Sequence, residues 1–185
     1  MVNQDNHPFW QFSIDVYAQD GVSEACITLQ EEYEIDVNIL LFCCWSTSIG
    51  NGVLTSVELT VARNAVMFWN REIVQGLRAV RNSLKDGCDG FDEADTEALR
   101  QRVLGIEIKA EHEEQIRLAS ALPVSENLLR PTPYKLMDCV DTISQYFGLV
   151  RKKNTRSSHD ALVALLVQVF PEVSLEEITE AVARV

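Results

Sequence analysis

Residues 39–45 read Ile-Leu-Leu-Phe-Cys-Cys-Trp, seven apolar positions without a break. At 100° per residue such a run covers the whole circumference of a helix and leaves no face for water. It is far shorter than the roughly 20 apolar residues that span a bilayer. A helix of this kind has to be enclosed by other elements, and the rest of the chain must supply them. Asp36 is a candidate N-cap for it, with Asn38 as a hydrogen-bonded residue of its first turn. Ser46-Thr47-Ser48 and Gly50-Asn51-Gly52 close it, which predicts a buried central helix over about 37–48.

Almost every other segment repeats its apolar residues at helical spacing, and no segment alternates as a strand would. Phe9, Phe12 and Val16 follow Pro8, a good first helical residue; Val22, Cys26, Leu29 and Tyr33 carry a second helix. A fourth helix, the one after the central run, is predicted over about 56–84. Ala62, Val66, Trp69, Ile73, Leu77, Val80 and Leu84 form its continuous core stripe, with a kink expected at Gly76. A fifth runs from about 93 to 121 with two apolar stripes, Leu99, Val103, Ile106, Ala110 and Leu104, Ile108, Leu118, Leu122. Pro123, Pro131 and Pro133 mark a linker. Further helices carry Leu136, Val140, Ile143 and Phe147, then Leu162, Leu165, Leu166 and Val169. Between these two lies a basic loop over 148–157. The last helix carries Leu175, Ile178 and Val182 behind a Ser174…Glu177 capping box. The fold expected is all-α, an irregular bundle of about seven or eight helices. Its main helical domain covers 1–130, and the helices of 131–185 pack on it; a single domain over 8–185 is the alternative division.

The charge balance narrows the partners. Of 185 residues, 16 are Lys or Arg and 28 are Asp or Glu, a formal charge of -12. A field of that sign repels phosphate backbones and anionic headgroups, so nucleic acid and membrane surfaces are not expected partners. The N-terminus has no basic stretch followed by an apolar one, so no secretion signal is expected. The five cysteines, Cys26, Cys43, Cys44, Cys88 and Cys139, have neither CxxC spacing nor an even count. They are expected as free thiols in a reducing, cytoplasmic setting.

Three stretches are distinctive. The first is Phe9-Trp10-Gln11-Phe12-Ser13, Tyr17, Gly21-Val22, Ala25-Cys26, Leu29-Gln30 and Asp36-Val37-Asn38-Ile39-Leu40-Leu41-Phe42. The second is Trp69-Asn70-Arg71-Glu72-Ile73-Val74, Leu77-Arg78-Ala79-Val80-Arg81 and Leu84-Lys85; the third is Glu111, Glu114-Gln115 and Leu118. Together these resemble an uncharacterised family of short proteobacterial proteins, a domain of unknown function, over about residues 9–171. Gly76 departs from the proline carried by many relatives. The resemblance implies helical architecture and a bacterial cytosolic origin, and it brings no catalytic residues.

Among polar side chains, the basic row Arg63, Arg71, Arg78, Arg81 and Lys85 flanks the core stripe of the fourth helix. Two readings of Arg71, Arg78, Arg81 and Lys85 stay open: a clamp for an anion or an acidic partner, or internal ion pairs. Glu107, Glu111 and Glu114 share a face of the fifth helix at i, i+4, i+7. They are candidate partners for the arginines, or carboxylates for Mg²⁺. His7, His112 and His159 are scattered, and no nucleophile elbow, P-loop or dinucleotide fingerprint occurs. No catalytic residue, metal or cofactor is therefore nominated. The function expected is a non-catalytic protein-interaction or regulatory module with a protein partner. The alternative is a small-anion-binding or Mg-dependent helical enzyme that uses the arginine row.

Overall fold

A computed structural model describes residues 7–151 and 155–185. The chain forms α1 (Pro8–Tyr17), α2 (Val22–Tyr33), α3 (Val37–Ser48), α4 (Ser56–Trp69), a π-helical turn (Asn70–Val74), α5 (Gln75–Ser83), α6 (Glu93–Ala121), α7 (Thr132–Leu149), α8 (Arg156–Val169) and α9 (Leu175–Val182). Among the described residues there is no strand. The fold is an all-α bundle; α4, the π turn and α5 run on from one another, so the described residues make eight rods. The basic loop predicted over 148–157 is shorter than expected, because α7 runs to Leu149 and α8 starts at Arg156. Lys152 and Lys153 of that loop, and the N-terminal stretch 1–6, lie outside the described residues.

The apolar run dictates the middle of the molecule. Every residue of α3 from Asn38 to Thr47 is buried, and α1, α2, α6, α7 and α8 all pack on this helix. Phe9 of α1 stacks on Trp45 at a centroid distance of 5.2 Å and meets Phe42 edge-on at 5.3 Å. At about 25 cal/mol per Å² of apolar area, each such side chain contributes roughly 1.5–3 kcal/mol when fully buried. The polar side chains at the end of α3 are turned back on the helix itself: Ser46 and Thr47 donate to the Cys43 carbonyl. Gly50, at φ +88°, then closes the helix, and a Cβ there would run into the Asn127 carbonyl. That close approach lets the Asn127 amide donate to the Ile49 carbonyl at 2.8 Å, tying the α6–α7 linker to the end of α3.

The main core draws on both 1–130 and 131–185, with α7, α8 and α9 contributing Val140, Ile143, Leu162, Leu166 and Ile178. It takes no residue from positions 67–117. This corrects two expected stripes. On the fourth rod Ala62 and Val66 are in the core, whereas Trp69 is 38% and Val80 51% exposed. On α6 Val103, Ala110 and Leu118 are buried, but Leu99, Ile106 and Ile108 are 49%, 54% and 43% exposed. The cause is geometric. The irregularity lies at Asn70–Val74, ahead of Gly76, and a π turn holds one more residue than an α turn. Everything after it is rotated relative to the stripe that Ala62 and Val66 begin. No residue of α5 is buried, and α5 packs mainly on α6 and the π turn. The α5–α6 hairpin therefore stands beside the core rather than within it.

All five cysteines are free thiols; Cys44 and Cys139 sit with their sulfurs 3.9 Å apart between α3 and α7. Burial pushes the Cys26 thiol up to about 12, and Cys43 well above the ordinary thiol range. Only Cys88 is half-exposed. A thiol-reactive probe on native protein should therefore label Cys88 alone, and all five after denaturation, as peptide mass spectrometry would read directly.

Candidate functional site

The polar end of α3 meets α6, the π turn and the end of α2, and Asp36, Arg71, Arg78 and Glu114 from the three distinctive stretches come near one another there. Asp36 caps α3: its Oδ1 accepts from the Asn38 amide at 3.0 Å and from the Ile39 amide at 3.4 Å. The Asn38 side chain turns inward instead. Its Nδ2 donates to Glu114 Oε2 at 3.0 Å, and its Oδ1 accepts from Gln115 Nε2 at 2.8 Å. Asn70, the first residue of the π turn, donates to both Glu114 oxygens at 3.2 and 3.3 Å. Its neighbour Trp69 donates Nε1–H to the Ala110 carbonyl at 2.9 Å, so the π turn is pinned to α6 twice. From α7, the Tyr146 hydroxyl accepts from the Asp36 amide at 3.1 Å. Among the described residues Gln115 Oε1 is the one buried side-chain oxygen or nitrogen without a hydrogen-bond partner.

Glu114 is 1% exposed and makes no ion pair with a described residue. Burial and the adjoining Asp36 charge push its carboxyl well above the usual range. Burial also raises Asp36, opposed by the Ile39 and Asn38 amides that donate to it. Both carboxyls are thus raised, because a second charge in so buried a place is disfavoured. The sequence face Glu107, Glu111, Glu114 is thus divided, and Glu114 belongs to the asparagines.

Glu107 and Glu111 belong to the arginines. Arg78 donates Nε–H to Glu107 Oε1 at 2.8 Å and Nη2–H to Glu111 Oε1 at 2.5 Å. Arg81 donates Nε–H to Glu107 Oε2 at 2.6 Å and Nη2–H to Oε1 at 3.3 Å. The side chains of Arg78 and Glu107 are 14% and 4% exposed. Burial pushes Glu107 up, but the Arg81 and Arg78 guanidiniums outweigh it and hold the carboxyl below the usual range. For Glu111 burial wins over Arg78, and the carboxyl is raised.

The basic row does not stay together. Arg71 lies within the π turn, 69% exposed, and among the described residues its side chain bonds only to adjacent Glu72, at 2.6 Å. Lys85 is exposed beyond the end of α5 and makes no ion pair with a described residue. Asn70, Gln115 and Tyr146 carried no expectation. Asn70 and Gln115 stand beside Arg71 and Glu114 in the sequence, but nothing there marks the extra residue of the π turn that aims Asn70 at Glu114.

Over this junction opens a cleft of about 560 Å³ between the end of α2, the start of α3, the π turn and α5. Glu31, Glu34 and Asp36 line one side, Arg71 and Arg78 the other, with Asn70, Gln75 and Asn82 among them. Chemically, the junction offers donors and acceptors to polar groups, while Arg78 and Glu107 are bonded to each other.

Two measurements check this division. Arg78→Ala leaves Glu107 and Glu111 short of a partner in a mostly buried seam and should cost about 3 kcal/mol in denaturant unfolding. Exposed Arg71→Ala should change stability by no more than about 0.5 kcal/mol. The Glu114 carboxyl is raised on folding, so its stabilising contribution is complete below the unfolded carboxylate pKa and is lost as pH rises through the folded value. Glu114→Gln, an amide in place of the protonated acid, should flatten the fall in Tm between about pH 5 and about pH 9 seen in the parent protein.

The family model described as "Protein of unknown function (DUF2390)" matches residues 8–118, and the chain belongs to that family. The matched segment spans α1 to most of α6 and includes every cleft residue named above. No curated protein and no solved structure matches the chain.

Proposed function

We propose that this DUF2390 member is a non-catalytic interaction module of the cytoplasm, with the α5–α6 hairpin as the element that meets a partner protein. The observation that carries the reading is the apolar surface left on a hairpin that the core does not use. Val80, Phe91, Leu99 and Ile106 are 51%, 75%, 49% and 54% exposed, while positions 67–117 contribute nothing to the main core. Isolated exposed apolar residues are ordinary, but a group of them on one two-helix element is a recognised mark of an interface.

The alternative, an anion site or Mg²⁺ enzyme on the arginine row, has lost most of its groups to other tasks. Arg78 and Arg81 spend their donors on Glu107 and Glu111, and both Glu107 oxygens accept from guanidiniums. Around the hairpin tip, Asp86, Asp89, Asp92, Glu93 and Asp95 surround Phe91 in sequence, and Phe91, Asp92, Glu93 and Asp95 are exposed. A partner surface with an apolar centre and a basic rim complements that tip. The same charge disfavours nucleic acid and anionic membrane, and among the described residues no helix is long and apolar enough to cross a bilayer. In this reading 131–185 serve as scaffold, closing the core around α3.

The test is a pairwise comparison. Phe91→Ser with Leu99→Ser should leave the melting temperature within a degree or two, because both residues are exposed. The same variant should lose the proteins that the parent chain captures from a native lysate at moderate salt. Capture of the same proteins by both would place the contact elsewhere.

A further inference from the structure

We propose that the cleft between α2, the π turn and α5 binds a small zwitterion, a free amino acid, with its ammonium toward Glu31 and Asp36 and its carboxylate toward Arg71. This goes beyond the interaction reading and does not depend on it. The cleft measures about 560 Å³, within the range of small-molecule sites. Its charges are sorted by side. Glu31 and Glu34 at the end of α2 and Asp36 at the start of α3 face Arg71 and Arg78 from the π turn and α5. Among the described residues no ion pair crosses from Glu31 or Asp36 to Arg71 or Arg78. Opposite charges thus share one cleft without a direct ion pair between Glu31 or Asp36 and Arg71 or Arg78.

A lone anion is a poor occupant, because the Asp36 and Glu31 charges share the space and Arg78 already serves two carboxylates. A lone cation meets Arg71 and Arg78. A ligand with one charge of each sign is attracted at both ends. Arg71 is available to it: its bond to Glu72 joins adjacent, largely exposed side chains, a kind of pair worth under about 1 kcal/mol. The carboxylate of a ligand can therefore take the guanidinium bidentately. Asp36 has one oxygen engaged by the Asn38 and Ile39 amides of α3, so it is held in place for the ammonium. Asn70, Gln75 and Asn82 supply amide donors and acceptors along the cleft. The only apolar residues lining it are Ile35 and Ala79, so ligands with large apolar side chains find little to pack against.

The experiment is a thermal-shift screen of the full chain with each free protein amino acid, β-alanine and γ-aminobutyrate. Sodium acetate and methylammonium chloride serve as the two half-ligands. At least one zwitterion should raise the melting temperature in a concentration-dependent way, and neither half-ligand should match it at equal concentration. By titration calorimetry, Arg71→Gln and Glu31→Gln should each weaken that zwitterion by about tenfold or more. Both side chains are exposed, so both variants should keep the parent melting temperature without ligand. The proposal is overturned by a screen in which no zwitterion acts. It is equally overturned by a shift that acetate or methylammonium reproduces alone, or by binding that survives both substitutions.

Discussion

A helix without a polar face sets the terms for this structure. Residues 39–45 of α3 can be removed from water only by helices on every side, and five of them are recruited to do it. The same requirement explains why α7 and α8, beyond the segment matched by the family model, are needed around α3. It also fixes the position of the one place where polarity enters. The first turn of α3 carries Asp36 and Asn38, and a buried asparagine must find partners or cost free energy. It finds Glu114 and Gln115, and through Glu114 it reaches Asn70. The polar junction is a consequence of how the apolar helix has to begin.

Two different forces then hold the two halves of α6. Near its C-terminus Leu118 is part of the apolar core. Toward its N-terminus the seam with α5 is ionic, built on Arg78, Arg81, Glu107 and Glu111. Ion pairs are directional and demand particular partners, whereas apolar burial is not, so such a seam fixes the register of two helices with little core between them. The exposed Val80, Leu99 and Ile106 are what the ionic seam leaves over. The division makes a hairpin that is well defined in geometry yet still has apolar surface to offer.

Much of this could be read from the residues. Pro8, Asp36, the Ser174…Glu177 box and the 93–121 period gave helix positions that the structure repeats, because caps and spacing are local properties. The acid and arginine sets could be named for the same reason. What could not be read was their partition. Arg71 and Arg78 are seven residues apart and share a face on an ideal helix, and it takes the π turn at Asn70–Val74 to separate them. The stripes through Trp69 and Val80 and through Leu99 and Ile106 misled as well, since period alone cannot distinguish an apolar face that meets a core from one that does not. The placing of Glu114 beside two asparagines and Asp36 is a tertiary fact, set by helices far apart in sequence.

That α5 with the first half of α6 forms a unit apart from the core is the claim on which both the ionic seam and the exposed surface rest. Native-state amide hydrogen exchange read by mass spectrometry tests it most directly. Amides of α5 and of residues 93–107 should exchange through a local opening, at a free energy clearly below that of global unfolding, while α3 and α7 exchange only when the whole chain unfolds. Equal protection across α3, α5 and the first half of α6, lost in one cooperative step, would contradict it.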